Sequence, residues 1–164
     1  LNIILKEQMI SEFATAYTTG AQIKKNAIAH VGKIQLLKLD IENFFGSITF
    51  DMVYQAAFHQ GYFPKEVGVL LAKICCLNDA LPQGAPSSPM LSNLVLKPFD
   101  EYLGKWCSEQ NIAYTRYCDD MTFSGVFNTS FVASKVRSFL KSMGFILNEQ
   151  KTKAIPYWKR QEVT

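Results

Sequence analysis

Short, mostly apolar runs mark the strands that the sequence predicts. The run over residues 34–39, interrupted by Gln35 and Lys38, has the length of a central strand covered on both faces, and it ends at Asp40. Two shorter runs, 112–117 and 121–124, predict a hairpin, and 145–147 predicts a final strand.

Apolar residues at helical spacing occupy much of the remaining chain. Helices are predicted over 3–16, 22–32, 49–61, 64–77, from Pro89 through a kink at Pro98, and over 128–144. From residue 34 the order is therefore strand, helices, strand, strand, helix, strand. One antiparallel sheet with helices on one face satisfies that order, so the predicted fold class is α+β.

Composition narrows the class of protein further. The chain has 164 residues, enough for one domain, and we expect it to be a piece of a longer protein because it begins at Leu1. Apolar residues make up 48% and charged residues 19%, which excludes intrinsic disorder. The net charge of +3 permits a polyanionic partner without requiring one. Four cysteines without a C-x-x-C pair indicate reduced thiols in the cytoplasm. No apolar run is long enough to span a bilayer, so no membrane is expected among the partners.

Three carboxylates are the candidate chemistry. Asp119 and Asp120 lie at the predicted hairpin turn, and Asp40 ends the predicted central strand. If that strand pairs beside the hairpin, the carboxylates meet at one end of the sheet. Two unit charges ~4 Å apart repel by roughly 4 kcal/mol at an effective dielectric near 20, so such a cluster calls for a hard divalent cation such as Mg²⁺. The pattern indicates metal-assisted phosphoryl transfer, although an Asp-Asp pair is also ordinary turn chemistry.

Several segments resemble known motifs. Residues 117–120 (Tyr-Cys-Asp-Asp) resemble the Tyr-x-Asp-Asp signature of reverse transcriptases, and 39–45 resemble the motif that holds their first catalytic aspartate. Residues 81–89 (Leu-Pro-Gln-Gly-Ala-Pro-Ser-Ser-Pro) resemble their Gln-Gly substrate loop. The continuation over 85–89 and the Asn-Ala-x-x-His element over 26–30 are similar to bacterial retron reverse transcriptases.

The resemblance implies a fingers and palm architecture. Fingers segments are expected over about 1–30 and 49–85, and palm segments over about 31–48 and 86–158, with the palm sheet similar to an RNA-recognition fold. The thumb is expected downstream and absent from this chain. Because a duplex needs a thumb to hold it, we expect this segment alone to polymerise poorly.

The resemblance also implies the metal ligands. Asp40, Asp119 and the backbone carbonyl of Ile41 are expected to hold two Mg²⁺ ions, with Asp120 completing the acidic set and Mn²⁺ as a substitute. One ion would activate a primer hydroxyl and the other would neutralise the triphosphate and the leaving pyrophosphate.

Four other residues receive roles by the same resemblance. Phe45 is the expected sugar gate that favours deoxynucleotides, and Gln83 with Gly84 is expected to contact the incoming nucleotide. Lys151 is the expected proton donor to pyrophosphate. Each residue also has a structural alternative: core packing for Phe45, an ordinary loop for Gln83 and Gly84, and an exposed surface position for Lys151.

One segment departs from the family. The fingers loop over 17–22 contains no Lys or Arg, and the first basic residues after it are Lys24 and Lys25. Either these lysines bind the triphosphate, with Lys24 as the candidate, or triphosphate binding is weaker than is usual in the family. Lys33 and Lys38 are further candidates. His30, in the retron-like element, is expected to make a structural hydrogen bond.

The resulting prediction is a retron-type RNA-directed DNA polymerase that makes RNA-linked single-stranded DNA. Its implied partners are a structured RNA template and primer, an RNA–DNA hybrid and deoxynucleoside triphosphates. A retron effector protein is a further possible partner. The alternatives are a non-catalytic nucleic-acid-binding module of the polymerase fold, another reverse transcriptase class such as the group II intron type, and another template-dependent polymerase or primase.

Overall fold

A computed structural model describes residues 10–17, 23–59, 61, 63–156, 158 and 159 of the chain. Its helices are α1 (Ile23–Ile28), α2 (Phe50–Val53), α3 (Lys65–Cys75), α4 (Ser88–Glu109) and α5 (Thr129–Ser142). Its strands are β1 (Gln35–Asp40), β2 (Ala113–Tyr117), β3 (Asp120–Gly125) and β4 (Lys153–Pro156). Within these ranges no helix is both long enough and apolar enough to cross a bilayer.

The chain divides into two compact units. The helical unit consists of Leu1–Ser11 and Asn43–Pro98, and the sheet unit consists of Glu12–Glu42 and Phe99–Thr164. All four described strands therefore belong to the sheet unit. The assignment of chain segments to fingers and palm remains a prediction.

The sheet unit is built on a four-stranded antiparallel sheet in the order β2-β3-β1-β4. This arrangement confirms the predicted α+β class and the predicted hairpin, whose strands β2 and β3 are joined at Cys118 and Asp119. Cys118 has φ 61°, a left-handed conformation that lets the chain reverse within two residues. The register sets Asp40 opposite Asp120.

The two faces of this sheet differ in polarity. Successive side chains on a strand point to opposite faces, so Leu37 and Leu39 of β1 share a face with their β3 partners Phe123 and Met121. Tyr114 of β2 lies on this apolar face and stacks on Phe123, with ring centroids 4.9 Å apart. The opposite face carries Lys38, Asp40, Thr115, Asp120 and Thr122. The carboxylates of interest are therefore on the polar face.

Helix α5 follows its sequence pattern closely. The side chain of Asn128 accepts a hydrogen bond from the amide of Phe131 at 3.0 Å and caps the first turn, as predicted. The apolar face of α5 is buried, and Phe139 meets Phe99 of α4 edge-on at 5.2 Å. The buried residues of α5 are Val132, Ala133, Val136 and Leu140.

The helical unit contains short helices and turns. Thr49 caps α2 by accepting from the amide of Met52, as predicted, but the α-helix ends at Val53 and continues as a π-helical turn over Tyr54–Phe58. A Cβ on Gly68 of α3 would collide with the carbonyl oxygen of Phe58, so only glycine allows this close packing.

Two predicted elements are wrong in the described region. A helix was predicted over 3–16, yet residues 10–17 are not helical, and residues 1–9 lie outside the described residues. Instead, Ala14 bridges Arg116 in parallel, because the outer edge of β2 offers hydrogen-bonding groups that this segment satisfies. The final strand was predicted over 145–147. There, Leu147 forms only a single bridge with Ile41, and the fourth strand is β4.

A buried histidine follows α1 and binds the polar face of the sheet. His30 is 3% exposed, and its Nδ1 and Nε2 lie 2.7 Å from Ser124 Oγ and 2.8 Å from Thr115 Oγ1. This geometry confirms the structural hydrogen bond predicted for His30. Burial lowers the pKa of His30 to about 4, with a smaller contribution from the nearby charge of Lys33.

This buried imidazole predicts an acid-sensitive fold. The unfolded chain takes up a proton at His30 near pH 6.5, whereas the folded chain does so only near pH 4. The contribution of His30 to the free energy of unfolding is therefore fully present above about pH 6.5. As the pH falls from 6.5 to about 4, the free energy of unfolding decreases by about 3 kcal/mol. Urea unfolding of the full-length protein at stepped pH measures the loss. His30→Gln should flatten this part of the profile, and an unchanged slope in the variant would contradict the assignment.

Candidate active site

The structure brings Asp40 and the Asp119-Asp120 doublet to the same end of the sheet. Asp40 is the last residue of β1, Asp120 is the first residue of β3, and the two are direct cross-strand partners. Asp119 precedes Asp120 in the hairpin turn. The juxtaposition follows from the antiparallel pairing of a central strand with a hairpin, while the metal-binding and catalytic roles of the three residues remain predictions.

The hairpin turn is fixed by hydrogen bonds to its backbone. The amide of Ile41 donates to the carbonyl of Asp119 at 3.2 Å, and Arg116 Nη1 donates to the carbonyl of Cys118 at 2.8 Å. The hydroxyl of Tyr17 donates to Cys118 Sγ at 3.2 Å. The first two contacts hold the backbone of the turn, and the third holds the side chain of Cys118.

A lysine neutralises the most buried of the three carboxylates. The side chain of Asp40 is 6% exposed, and Lys151 Nζ lies 2.9 Å from its Oδ2. Hydrogen bonding to Asp40 raises the pKa of Lys151, so the ammonium form is favoured. Like charges directly opposite each other destabilise a sheet, and a cation beside Asp40 and Asp120 relieves that repulsion. Because the Lys151 side chain is 60% exposed, core packing does not fix it in place.

The turn that carries Lys151 is organised by Asn148, a residue that the sequence reasoning missed. The amide of Asn148 donates to the carbonyl of Asp40 at 2.8 Å, and its side-chain oxygen accepts from the amide of Gln150 at 3.1 Å. Its backbone carbonyl accepts from Lys151 and Thr152. An Asn at the start of a polar segment is a turn signal, but its link to Asp40 depends on the three-dimensional fold.

The donor set suits a hard divalent cation. Carboxylate and carbonyl oxygens are the ligands that Mg²⁺ prefers, and the Cβ atoms of cross-strand partners such as Asp40 and Asp120 are about 4.5–5.5 Å apart. Within the described ranges, however, no three His, Cys, Asp or Glu side chains are grouped closely enough to hold an ion. A shared ion would therefore require rotation of the carboxylate side chains.

The other residues predicted for nucleotide contact lie in the helical unit. Phe45 is half-buried, and its ring centroid is 5.2 Å from that of the buried Phe44, so packing accounts for part of its surface. Gln83 and Gly84 are exposed in a turn where Gly84 has φ 91° and a Cβ would meet open space. A side chain at position 84 is disfavoured by backbone conformation rather than by crowding. The nucleotide roles of these residues stay predictions.

The predicted triphosphate ligand is less well defined. Lys24 is exposed on α1, and its role stays a prediction. The side chain of Lys25 and residues 18–22 of the fingers loop lie outside the described residues.

Sequence comparison finds similarity to known proteins along nearly the whole chain. Residues 1–162 match the family model described as "Reverse transcriptase (RNA-dependent DNA polymerase)". The chain is 36% identical over 156 residues to Retron Ec86 reverse transcriptase of Escherichia coli, with 93% of this chain and 48% of the relative covered. It is 39% identical over 133 residues to Retron Ec83 reverse transcriptase of the same species, with 76% and 43% covered. The chain thus spans about half the length of the curated relatives it matches.

Structural comparison supports the fold. Telomerase from Candida albicans, in complex with a fragment of telomeric RNA, aligns with a TM-score of 0.63 and 11% identity over 90% of this chain and 32% of that chain. Apo telomerase from Candida tropicalis aligns with a TM-score of 0.59 and 12% identity over 85% and 34%. At this identity the likeness concerns the fold alone, and it agrees with the predicted fingers and palm class.

Proposed function

Because the chain belongs to the reverse transcriptase family, we propose that the whole protein is a retron-type RNA-directed DNA polymerase. The observation that carries the proposal is the pairing of Asp40 with Asp120, with Asp119 beside them, at one end of the sheet. A polymerase that transfers nucleotides with metal ions needs carboxylates on neighbouring strands, and this register supplies them.

The carboxylates would hold divalent cations. Asp40, Asp119 and the carbonyl of Ile41 are the proposed Mg²⁺ ligands, Asp120 completes the negative charge, and Mn²⁺ could substitute. When bound, two such ions supply Lewis acidity that activates the primer hydroxyl and neutralises the triphosphate. The chain contributes a stiff hairpin and a central strand that fix the ligand positions.

Lys151 is the proposed proton donor to the pyrophosphate. Its ammonium group lies at the carboxylate end of the sheet, and its exposed side chain is free to swing from Asp40 toward a bound triphosphate. An ammonium group is protonated at neutral pH, so it attracts the phosphates. Departure from Asp40 removes the contact that raises the pKa of Lys151, which favours release of a proton as charge develops on the leaving group.

The proposed partners follow from this function. They are a structured RNA that serves as template and primer, the RNA–DNA hybrid product and deoxynucleoside triphosphates, and the product is RNA-linked single-stranded DNA. The relatives named as retron reverse transcriptases support this choice over the group II intron type, and a retron effector protein is a further proposed partner. The free cysteines Cys75, Cys76, Cys107 and Cys118 support a location in the reducing cytoplasm of a bacterium.

One observation favours a second candidate, a non-catalytic nucleic-acid-binding module of the same fold. Asp40 is already paired with Lys151, which would suit a site that never takes up a metal. Primer extension by the full-length protein on an RNA template separates the candidates. The polymerase proposal expects deoxynucleotide incorporation that is lost in Asp119→Ala and retained in the exposed control Glu109→Gln. RNA binding by the wild type without incorporation would favour the second candidate.

The proposed sugar gate predicts a change in nucleotide selection. Replacing Phe45 with Val removes the ring proposed to exclude a ribose hydroxyl, so ribonucleotide incorporation relative to deoxynucleotide incorporation should rise by about 10–100-fold. The ratio of kcat/KM values for matched nucleotides measures the effect. Phe50→Val, a half-buried aromatic of the same unit, is the control and should leave the ratio unchanged. An unaltered ratio in Phe45→Val would assign Phe45 to packing.

A further inference from the structure

A fully buried arginine lies two residues before the hairpin turn. Arg116 of β2 has no exposed surface, and it shares the apolar face of the sheet with Tyr114. Burial of a guanidinium is costly unless all of its charge and hydrogen bonds are met, so its contacts define what it does.

Most of those contacts go to one carboxylate. Arg116 Nε lies 2.9 Å from Asp100 Oδ1, and Nη2 lies 2.6 Å from Asp100 Oδ2, which gives a two-pronged pair with both side chains fully buried. The hydroxyl of Tyr114 donates to Asp100 Oδ1 at 2.8 Å. Asp100 belongs to α4, so the pair fixes the guanidinium plane against that helix.

The remaining guanidinium nitrogen reaches the turn between β2 and β3. Arg116 Nη1 donates to the carbonyl of Cys118 at 2.8 Å, one peptide before Asp119. Cys118 adopts φ 61°, a conformation that non-glycine residues rarely hold without support. On the next peptide, the carbonyl of Asp119 accepts from the amide of Ile41. The two carbonyls of the turn are therefore held by α4 through Arg116 and by the residue after β1.

The backbone of Arg116 is also fixed. Its amide donates to the carbonyl of Phe13 at 2.8 Å, and its carbonyl accepts from the amide of Thr15 at 2.8 Å. Neither end of this residue can shift without breaking several bonds. Small movements of the turn, which would turn Asp119 and Asp120 away from Asp40, are resisted by this arrangement.

We infer that Arg116 is a positioning residue that sets the direction of Asp119 and Asp120, with Asp100 as its anchor. The inference rests on the proposed function, because it assigns the orientation of the proposed metal ligands. A buried ion pair gives little net stability compared with apolar residues of the same volume. The particular contribution of Arg116 is therefore its additional hydrogen bond to the Cys118 carbonyl. Lysine cannot reproduce it, because one ammonium group lacks the fork that spans Asp100 and the Cys118 carbonyl.

The test compares full-length variants by activity and by metal affinity. Arg116→Lys keeps the charge opposite Asp100 and loses the bond to Cys118. We expect kcat for deoxynucleotide incorporation to fall at least tenfold and the Mn²⁺ affinity, titrated without nucleic acid, to weaken at least threefold, with KM for primer–template unchanged. The control Arg137→Lys alters an exposed pair with Glu149 on the same unit and should change none of these values.

A second variant keeps the inference testable if Arg116→Lys does not fold. The double substitution Asp100→Leu with Arg116→Met replaces the pair by apolar side chains, and it should fold while showing the same loss of kcat and Mn²⁺ affinity. Wild-type kcat and Mn²⁺ affinity in either folded variant would overturn the inference. If the wild type incorporates no nucleotide, the proposed polymerase function fails, whereas the Mn²⁺ titration still decides whether Arg116 orients the carboxylates.

Discussion

Replacing Asp119 or Asp120 with Asn is expected to reduce deoxynucleotide incorporation by the full-length protein about 10³-fold or more. A metal ion contributes several kcal/mol of charge stabilisation in the transition state, and about 4 kcal/mol corresponds to a factor of about 10³ in rate. Asparagine has nearly the same shape as aspartate but lacks the negative charge that a hard cation requires. Single-turnover incorporation on an RNA template measures the loss, and Glu109→Gln is the matched control.

The same substitution at Asp120 should not weaken the fold. Asp120 lies directly opposite Asp40, and like charges in a cross-strand pair destabilise a sheet. Lys151 offsets only part of this repulsion, because its contact with Asp40 is exposed to solvent. In buffer containing a chelator, Asp120→Asn should therefore unfold at an equal or slightly higher urea concentration than the wild type. The gain should shrink at high salt, which screens the repulsion. Clear destabilisation together with lost activity would indicate a structural role for Asp120 instead.

Replacing Asp100 with Ala is expected to destabilise the full-length protein by about 3–5 kcal/mol. The change leaves the fully buried Arg116 without its counter-charge, and it also removes the acceptor of the Tyr114 hydroxyl. A loss of this size is a large part of the total stability of an ordinary domain, about 5–15 kcal/mol. Equilibrium unfolding in urea measures the change.

The exposed ion pair of Arg137 with Glu149, in the same unit, is the control for the buried pair of Arg116 with Asp100. Glu149→Ala breaks the exposed contact with Arg137, which should cost less than about 1 kcal/mol because solvent screens it. Replacing Asp100 by Leu and Arg116 by Met together should recover most of the stability lost in Asp100→Ala. Equal effects of Asp100→Ala and Glu149→Ala would contradict the assignment of Asp100 as the anchor of a buried charge.

Much of the sheet was predictable because its central strands are short, mostly apolar runs. The run ending at Asp40 and the two runs around Asp119 have the length and composition of buried strands, and antiparallel pairing then brings their ends together. The helix caps at Thr49 and Asn128 were also predictable, because each side chain accepts a hydrogen bond from an amide only three residues away.

Other features depend on partners that are distant in the sequence. The loose apolar stripe over 3–16 suggested a helix, but the segment around Ala14 instead pairs with the edge of β2. Strand β4 has only exposed and half-exposed residues, so it lacks the apolar signal that marks a buried strand. The pair of Arg116 with Asp100 and the ion pair of Lys151 with Asp40 join elements far apart along the chain, which local patterns do not report.

The most direct test of the account is to locate divalent cations in the full-length protein. Crystals grown with Mn²⁺, a primer–template and a non-hydrolysable deoxynucleotide would give an anomalous signal at each ion. We expect Mn²⁺ bonded directly to carboxylate oxygens of both Asp40 and Asp119, with Lys151 withdrawn from Asp40. Ions bound elsewhere, with the contact between Lys151 and Asp40 intact while nucleotide is present, would contradict it.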